Sequence, residues 1–201
     1  MHSNQREFTM LFECFAQLGY TFPPEVKEEI MATTYLETYK KDETILPYKH
    51  VCEHVYFITN GVTAINIELR NKEYIHWLMM EGDVFISVNS FFFDQPSNQR
   101  IVALENTQCI VMPKKNQEEI GRRYPEFKDL RSRLTEYYYS ESDERGCMRF
   151  MTATERCAFM FENYRKLYER VNNYHMASFL GMELQTFSRV KAKMLREGGE
   201  K

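Results

Sequence analysis

The hydrophobic period of the chain changes twice along its length, and that change constrains the fold more than any other feature. Residues 7–39 read as helical: Phe8, Leu11, Phe12 and Phe15 recur at spacings of three and four, Pro23-Pro24 breaks the run, and a second short helix begins over 25–31. From about residue 35 to 112 the period is two. The runs 55–59 and 62–69 are rich in β-branched and aromatic residues, and further β-like runs cover 74–79, 84–92 and 100–112. Between the first two runs stands Asn60-Gly61, read as the two positive-φ residues of a type I′ hairpin turn. Short strands at close spacing, with no helix between them, predict an antiparallel sandwich or barrel.

After Pro113 the helical period returns. A short helix around 118–120 stops near Pro125, which can serve as the first-turn proline of a longer helix. On that helix Phe127, Leu130, Leu134 and Tyr137 or Tyr138 form an apolar stripe, which fits packing on the chain's own barrel or a coiled-coil-type dimer seam. Thr152-Ala-Thr-Glu155 has the pattern of a capping box and starts another helix. Asn173 is read as the cap of a short helix through Met176, Ala177, Phe179 and Leu180. Gly181 then permits a tight turn, and a last helix spans 184–195.

Composition narrows the class. With 43% hydrophobic residues over 201 positions the chain can bury substantial cores, and no apolar run of 18 residues is present, so membrane spanning is not expected. The first fifteen residues have neither a basic start nor a small-residue cleavage site, which points to the cytoplasm. Cys14, Cys52, Cys109, Cys147 and Cys157 are scattered and never spaced as CxxC, so they read as thiols in a reducing compartment. The run His50, Cys52, Glu53, His54 offers ligand types without convergence and reads as a solvated loop or strand end, so no metal is expected. The net charge of −3 is unevenly spread: from residue 151 onward there are nine Lys or Arg against six Glu. A basic C-terminal piece behind an acidic front is the balance expected of a nucleic-acid-binding module attached to a partner domain.

Two short helices joined by a glycine-bearing turn, the second one polar and basic, outline a helix-turn-helix, although an ordinary amphipathic helix pair has similar spacing. In the stretch 176–194, Ala177, Leu180, Phe187 and Val190 would pin the helices together. Gln185, Thr186, Ser188, Arg189, Lys191 and Lys193 remain to face outward as DNA contacts. Gln and Arg can bond base edges in pairs, and Ser, Thr and Lys can hold phosphates.

The stretch 174–191 resembles the DNA-reading motif of Crp/Fnr-type regulators, relatives of the cyclic-AMP receptor protein. Asp42-Glu-Thr-Ile45, Val55-Tyr-Phe-Ile-Thr-Asn-Gly61 and Glu81-Gly-Asp83 are similar to that family's cyclic-nucleotide-binding β-roll in order and spacing. The resemblance implies an α+β fold: an N-terminal antiparallel β jelly-roll with flanking helices (1–113), a connecting and dimerising helix (114–150) and a C-terminal helix-turn-helix domain (151–201). Arg189 stands where the family pattern has Arg, Gln185 where Glu is usual, and Glu183 replaces the usual Ser or Thr cap. The chain ends seven residues after Met194, too soon for the β-hairpin wing of many relatives.

The phosphate cassette departs from the pattern. The family wants Gly, Glu and Leu where this chain has Ile86, Ser87 and Val88, and Arg and Ser where it has Ser97 and Asn98. A buried phosphodiester would lack its cation there, so a cyclic nucleotide is not expected and no cofactor is assigned. Ser87, Ser97, Asn98 and Arg100 are left as candidate effector contacts, with Arg100 at an odd strand offset. Phe91-Phe-Phe93 would plug the pocket, line it for an apolar ligand, or pack beneath the long helix.

The reading that results is a homodimeric transcription regulator and not an enzyme, since no Ser/His/Asp order, paired carboxylates or phosphate loop stands out. Its expected partners are double-stranded DNA and a second copy through Phe127, Leu130, Leu134 and Tyr137, with RNA polymerase and an unnamed small molecule as further candidates. The alternative is a ligand or protein-interaction module that has lost DNA binding.

Overall fold

Two amphipathic helices open the chain in the computed structural model, which describes residues 5–125 and 127–198. Helix α1 (Gln5–Gln17) buries Phe8, Leu11 and Phe15, and α2 (Pro24–Thr33) buries Val26 and Ile30. Pro24 sits in the first turn, where a missing N–H breaks no helical bond.

Among the described residues eight strands follow: β1 (Tyr35–Tyr39), β2 (Thr44–Leu46), β3 (His54–Asn60), β4 (Val62–Leu69), β5 (Lys72–Met80), β6 (Val84–Phe85), β7 (Gln99–Ala103) and β8 (Thr107–Pro113). They form two antiparallel sheets, β1-β8-β3-β6 and β2-β7-β4-β5, the two layers of a jelly roll. Tyr56, Ile58, Cys109 and Val111 from one layer meet Ile65, Met79, Ile101 and Ala103 from the other in a continuous buried cluster.

The sandwich agrees with the period-two reading, and three local expectations are corrected. Residues 35–39 are not helical: they form β1, in register with β8 from Tyr35↔Val111 to Tyr39↔Thr107. Asn60-Gly61 is not a hairpin turn, because β3 and β4 lie in different sheets and only Gly61 has positive φ, at 111°. The two-residue turn lies instead at Arg70-Asn71, with φ of 53° and 60°, between the paired residues Leu69 and Lys72. Finally, the run 84–92 is strand only over Val84–Phe85; helix α3 (Val88–Phe93) follows. Left-handed Asp94 closes that helix, and Lys114 Nζ donates to Phe91 O (2.6 Å) and Asp94 Oδ1 (2.7 Å).

Helices α4 (Lys114–Arg123) and α5 (Phe127–Cys147) and a 3-10 turn (Met148–Phe150) lead to the helical C-terminal region. A second core forms outside the first sheet, where α1, α2 and α5 cover Phe57 and Ile110 and bury Phe127 and Leu130. Helix α6 (Ala153–Asn163) starts with the expected capping box: Glu155 N donates to Thr152 Oγ1 at 3.3 Å and Thr152 N to Glu155 Oε2 at 2.7 Å. Then come α7 (Arg165–Arg170), α8 (Asn173–Phe179) and α9 (Leu184–Gly198). Asn172, one residue before the expected cap, accepts from His175 N at 2.9 Å. None of the described helices is long and apolar enough to cross a membrane.

The third core joins the helical region to the outer face of the second sheet. Val62, Ala64, Ile75, Leu78 and Val102 share one cluster with Met160, Leu167, Met176, Leu180 and Phe187, so apolar packing runs across the 150/151 boundary. Polar contacts fix its register. Arg170 bonds both carboxylate oxygens of Glu81 (2.7 and 2.8 Å) and also Glu105, and Ser178 Oγ accepts the N–H of Ile75 on edge strand β5 at 3.1 Å.

The corner at Gly61 gives a direct test. Its amide donates to Glu81 Oε1 at 2.7 Å, and a Cβ there would lie 2.6 Å from the backbone of Thr107 and closer still to its hydroxyl. Gly61→Ala should therefore destabilise the protein by about 2 kcal/mol or more, measured by urea unfolding.

Candidate nucleic-acid interface and effector groove

Helix α8 ends in a Schellman motif, and the motif aims the next helix. Gly181 is left-handed (φ 63°), Met182 N donates to Ala177 O at 3.0 Å, and Gly181 N donates to Ser178 O at 3.1 Å. Arg156 Nη1 donates to the carbonyl of Leu180 at 2.5 Å and holds the same corner from α6. Phe187 and Val190 of α9 are buried against Met176, Ala177 and Leu180, with Cys157 and Met160 completing the core.

Burial sets the outward face of α9. Gln185, Arg189, Ala192, Lys193 and Arg196 are exposed at spacings of four, three, one and three, a single stripe along the helix. Among the described residues no hydrogen bond, ion pair or ring contact engages the side chain of Gln185 or Arg189. Thr186 and Ser188 flank the stripe, half-buried. Lys191 lies elsewhere: its Nζ donates to Asn173 Oδ1 at 3.0 Å and sits 5.1 Å from the ring centroid of Tyr168 and 5.6 Å from that of Phe187. Of the six expected DNA contacts, five therefore lie on or beside one face, and Lys191 braces the fold behind it. Arg196 belongs to the stripe but escaped the sequence reading, which ended the helix one residue earlier. Continuing the period from Gln185 through Arg189 would have found it. Glu183 precedes the helix, its carboxylate 3.7 Å from Lys72 Nζ.

In the roll, the four candidate effector contacts separate. Ser87 and Ser97 are buried and bond each other, Oγ to Oγ at 2.7 Å, while Ser97 Oγ also donates to Gln99 O at 2.8 Å. Ser87 N donates to Cys52 Sγ at 3.4 Å, and Ser97 N to His50 O at 2.9 Å, so this end of the barrel satisfies its own polar groups. Asn98 is exposed. The expectation that Arg100 serves the pocket is not met: it leaves the barrel and bonds Glu73 through Nε (2.9 Å) and Nη2 (2.7 Å). An odd offset along β7 puts it on the face opposite the interior. The run 50–54 likewise turns inward only at Cys52, and no group of three or more metal-ligating side chains converges among the described residues.

A groove of about 670 Å³ runs beneath α5, lined chiefly by apolar and aromatic residues. Ile65, Ile67, Trp77, Met79, Phe85 and Ile86 form its roll side, and Val88 and Phe92 of α3 stand at it, 55% and 48% exposed. Phe91 is buried in the barrel core and Phe93 is 67% exposed, so the aromatic run divides between packing and surface. On α5 the stripe expected at a dimer seam is partly consumed within the chain. Phe127 and Leu130 are buried against α1 and α2, Leu134 packs on the same cluster, and Tyr137 is 39% exposed. The open face of α5 along the groove is instead Arg131, Thr135, Tyr139 and Ser142.

The Glu81-Gly-Asp83 segment joins these parts. Burial raises the Glu81 carboxyl, but the hydrogen bonds from Arg170 and from Gly61 N–H outweigh it and hold the group at about 2. Asp83 Oδ2 accepts from Met80 N at 2.8 Å and its Oδ1 faces the Tyr138 hydroxyl at 3.5 Å, yet burial pushes its carboxyl up to about 6.

Residues 36–124 match the family of cyclic nucleotide-binding domains. By structure the chain is similar to FixK2 from Bradyrhizobium japonicum, with a TM-score of 0.70 and 20% identity over 82% of this chain and 86% of that one. It is also similar to the catabolite activator protein of Thermus thermophilus (0.55, 20%, 90% and 87%). A third similar structure is a Eubacterium rectale protein described as a transcriptional regulator of the Crp/Fnr family (0.68, 14%, 88% and 85%). No curated protein matches by sequence.

Asp83 supplies a pH test. A carboxyl whose folded pKa is raised holds its proton more tightly when folded, so stability falls as pH rises from the unfolded value of about 4 to about 6, and is level above. In Asp83→Asn that decline, on the order of 3 kcal/mol, should vanish. Urea unfolding of both proteins across pH 4–7 checks this.

Proposed function

From a chain that carries a cyclic nucleotide-binding domain and the fold of Crp/Fnr-type regulators, we infer a homodimeric, sequence-specific DNA-binding transcription regulator acting in the cytoplasm. The observation that carries this reading is the exposed stripe of α9, where the side chains of Gln185 and Arg189 make no hydrogen bond or ion pair among the described residues and Lys193 and Arg196 follow on the same face. The first two are suited to base edges, since Gln donates and accepts and Arg bonds guanine in pairs. The last two add charge toward the backbone. Two copies related by a two-fold axis would place their α9 helices in successive major grooves.

Dimerisation is assigned to the open face of α5 through Arg131, Thr135, Tyr139 and Ser142, which leaves Phe127 and Leu130 to the chain's own core. A second α5 laid there also closes the open side of the groove. The effector is not a cyclic nucleotide in this reading. Ser87 and Ser97 satisfy each other, and Arg100 is paired outside, so a phosphodiester entering the roll would meet no cation at its expected seat. The groove's walls suit a small, largely apolar molecule of up to a few hundred Å³.

Selection from a random duplex pool should yield a two-fold-related sequence. On that duplex Arg189→Ala should lose about 1–3 kcal/mol of binding, roughly a 5- to 150-fold weakening, with little change on random DNA. Lys193→Ala should weaken both alike. Equal losses from Arg189→Ala on both duplexes would refute base reading, and retention of no duplex at any salt would favour a module without DNA binding. Titration calorimetry with cyclic AMP should show no heat of binding.

A further inference from the structure

The last two turns of α5 carry Glu141 and Arg145, whose side chains are only 18% and 16% exposed although both are charged. Arg145 stands at a three-way junction. Its guanidinium centre lies 3.8 Å from the ring centroid of Trp77 on β5, 5.5 Å from that of Tyr164 between α6 and α7, and 5.8 Å from that of Phe179 on α8. Its Nη2 bonds Glu141 Oε2 at 3.1 Å, and the same oxygen accepts the Tyr164 hydroxyl at 2.8 Å. One half-buried cation therefore touches the roll, the long helix and the helical region that bears α9. Stacking on aromatic faces away from water is where such a contact is strongest.

Trp77 separates this junction from the groove. It lines the groove together with Tyr138, and the two rings meet edge to face at 6.1 Å. Arg145 covers Trp77 but does not line the groove. Behind Tyr138, whose hydroxyl accepts from Val84 N at 2.7 Å, runs the return strand β6. A molecule seated in the groove would meet Trp77 and Tyr138, and that indole is the ring beneath the guanidinium that also reaches Tyr164 and Phe179.

We propose that Trp77 and Arg145 are positioning residues that transmit occupancy of the groove to the orientation of the helical region bearing α9. The proposal rests on the DNA-reading assignment only for its biological output. The mechanical coupling stands on the junction itself.

Trp77 is the one tryptophan of the sequence, so its emission reports the junction without labelling. The test uses the full chain and a neutral apolar fluorophore, N-phenyl-1-naphthylamine, whose absorption overlaps indole emission. In the wild type the probe should quench Trp77 saturably, change amide hydrogen exchange in α8 by threefold or more, and change affinity for the selected duplex by a similar factor. Arg145→Met should bind the probe within twofold of the wild-type Kd yet lose the exchange and affinity responses, and Tyr164→Phe, which deletes only the hydroxyl on Glu141, should weaken them. Arg145→Lys should recover part of the response. Absence of saturable quenching, unchanged exchange in the occupied wild type, or an undiminished response in a folded Arg145→Met protein would each overturn the proposal. If Arg145→Met fails to fold, Tyr164→Phe decides by the same readouts. Should exchange respond while no duplex is ever bound, the coupling stands and the DNA-reading assignment falls.

Discussion

The carboxylate of Glu81 is held from two directions. Gly61 donates its amide to one oxygen at the corner where the chain leaves one sheet for the other, and Arg170 grips both oxygens from the helical region. A corner closed by a glycine at φ 111° and packed against Thr107 has no room for a side chain, so the charge that ties it must come from elsewhere. The sheet crossing and the seat of α7 thus share one anion. That shared anion explains why Glu81 stays ionised despite partial burial: three donors replace the water it gives up.

Much of the fold was legible because it depends on local chemistry. The Thr152 capping box, the Gly181 corner and the apolar positions Leu180, Phe187 and Val190 are each set by neighbours within a few residues, and each takes its expected place. The misreadings came from long-range pairing. Asn60-Gly61 has the residues of a hairpin turn, yet β3 pairs with β8 and β6, so sheet membership overrides local preference. Arg70-Asn71 performs the turn with two residues that sequence pattern does not single out. The run 84–92 is apolar enough for a strand, but only two residues find a partner and the chain coils into α3 from Val88 onward.

The candidate site shows the same division. The outward face of α9 follows from its own period, whereas Lys191 was drawn away by Asn173, eighteen residues earlier. On α5 the stripe of Phe127 and Leu130 announces a buried face without saying whose, and α1 and α2 of the same chain take it. Trp77, Glu141 and Arg145 carry no signal in the sequence at all. Their meeting is a product of the tertiary fold, as is the mutual bond of Ser87 and Ser97 that fills the place of a missing arginine.

Ser178 has one more consequence. By accepting the Ile75 amide it covers part of β5, an edge strand whose outer row of donors and acceptors otherwise faces outward. Swinging the helical region away would uncover a pairing template beside an apolar sheet face, an invitation to strand addition between molecules. The travel available to α8 is thus bounded by colloidal safety as well as by chemistry, and short displacements that keep the edge covered are the ones this architecture can tolerate.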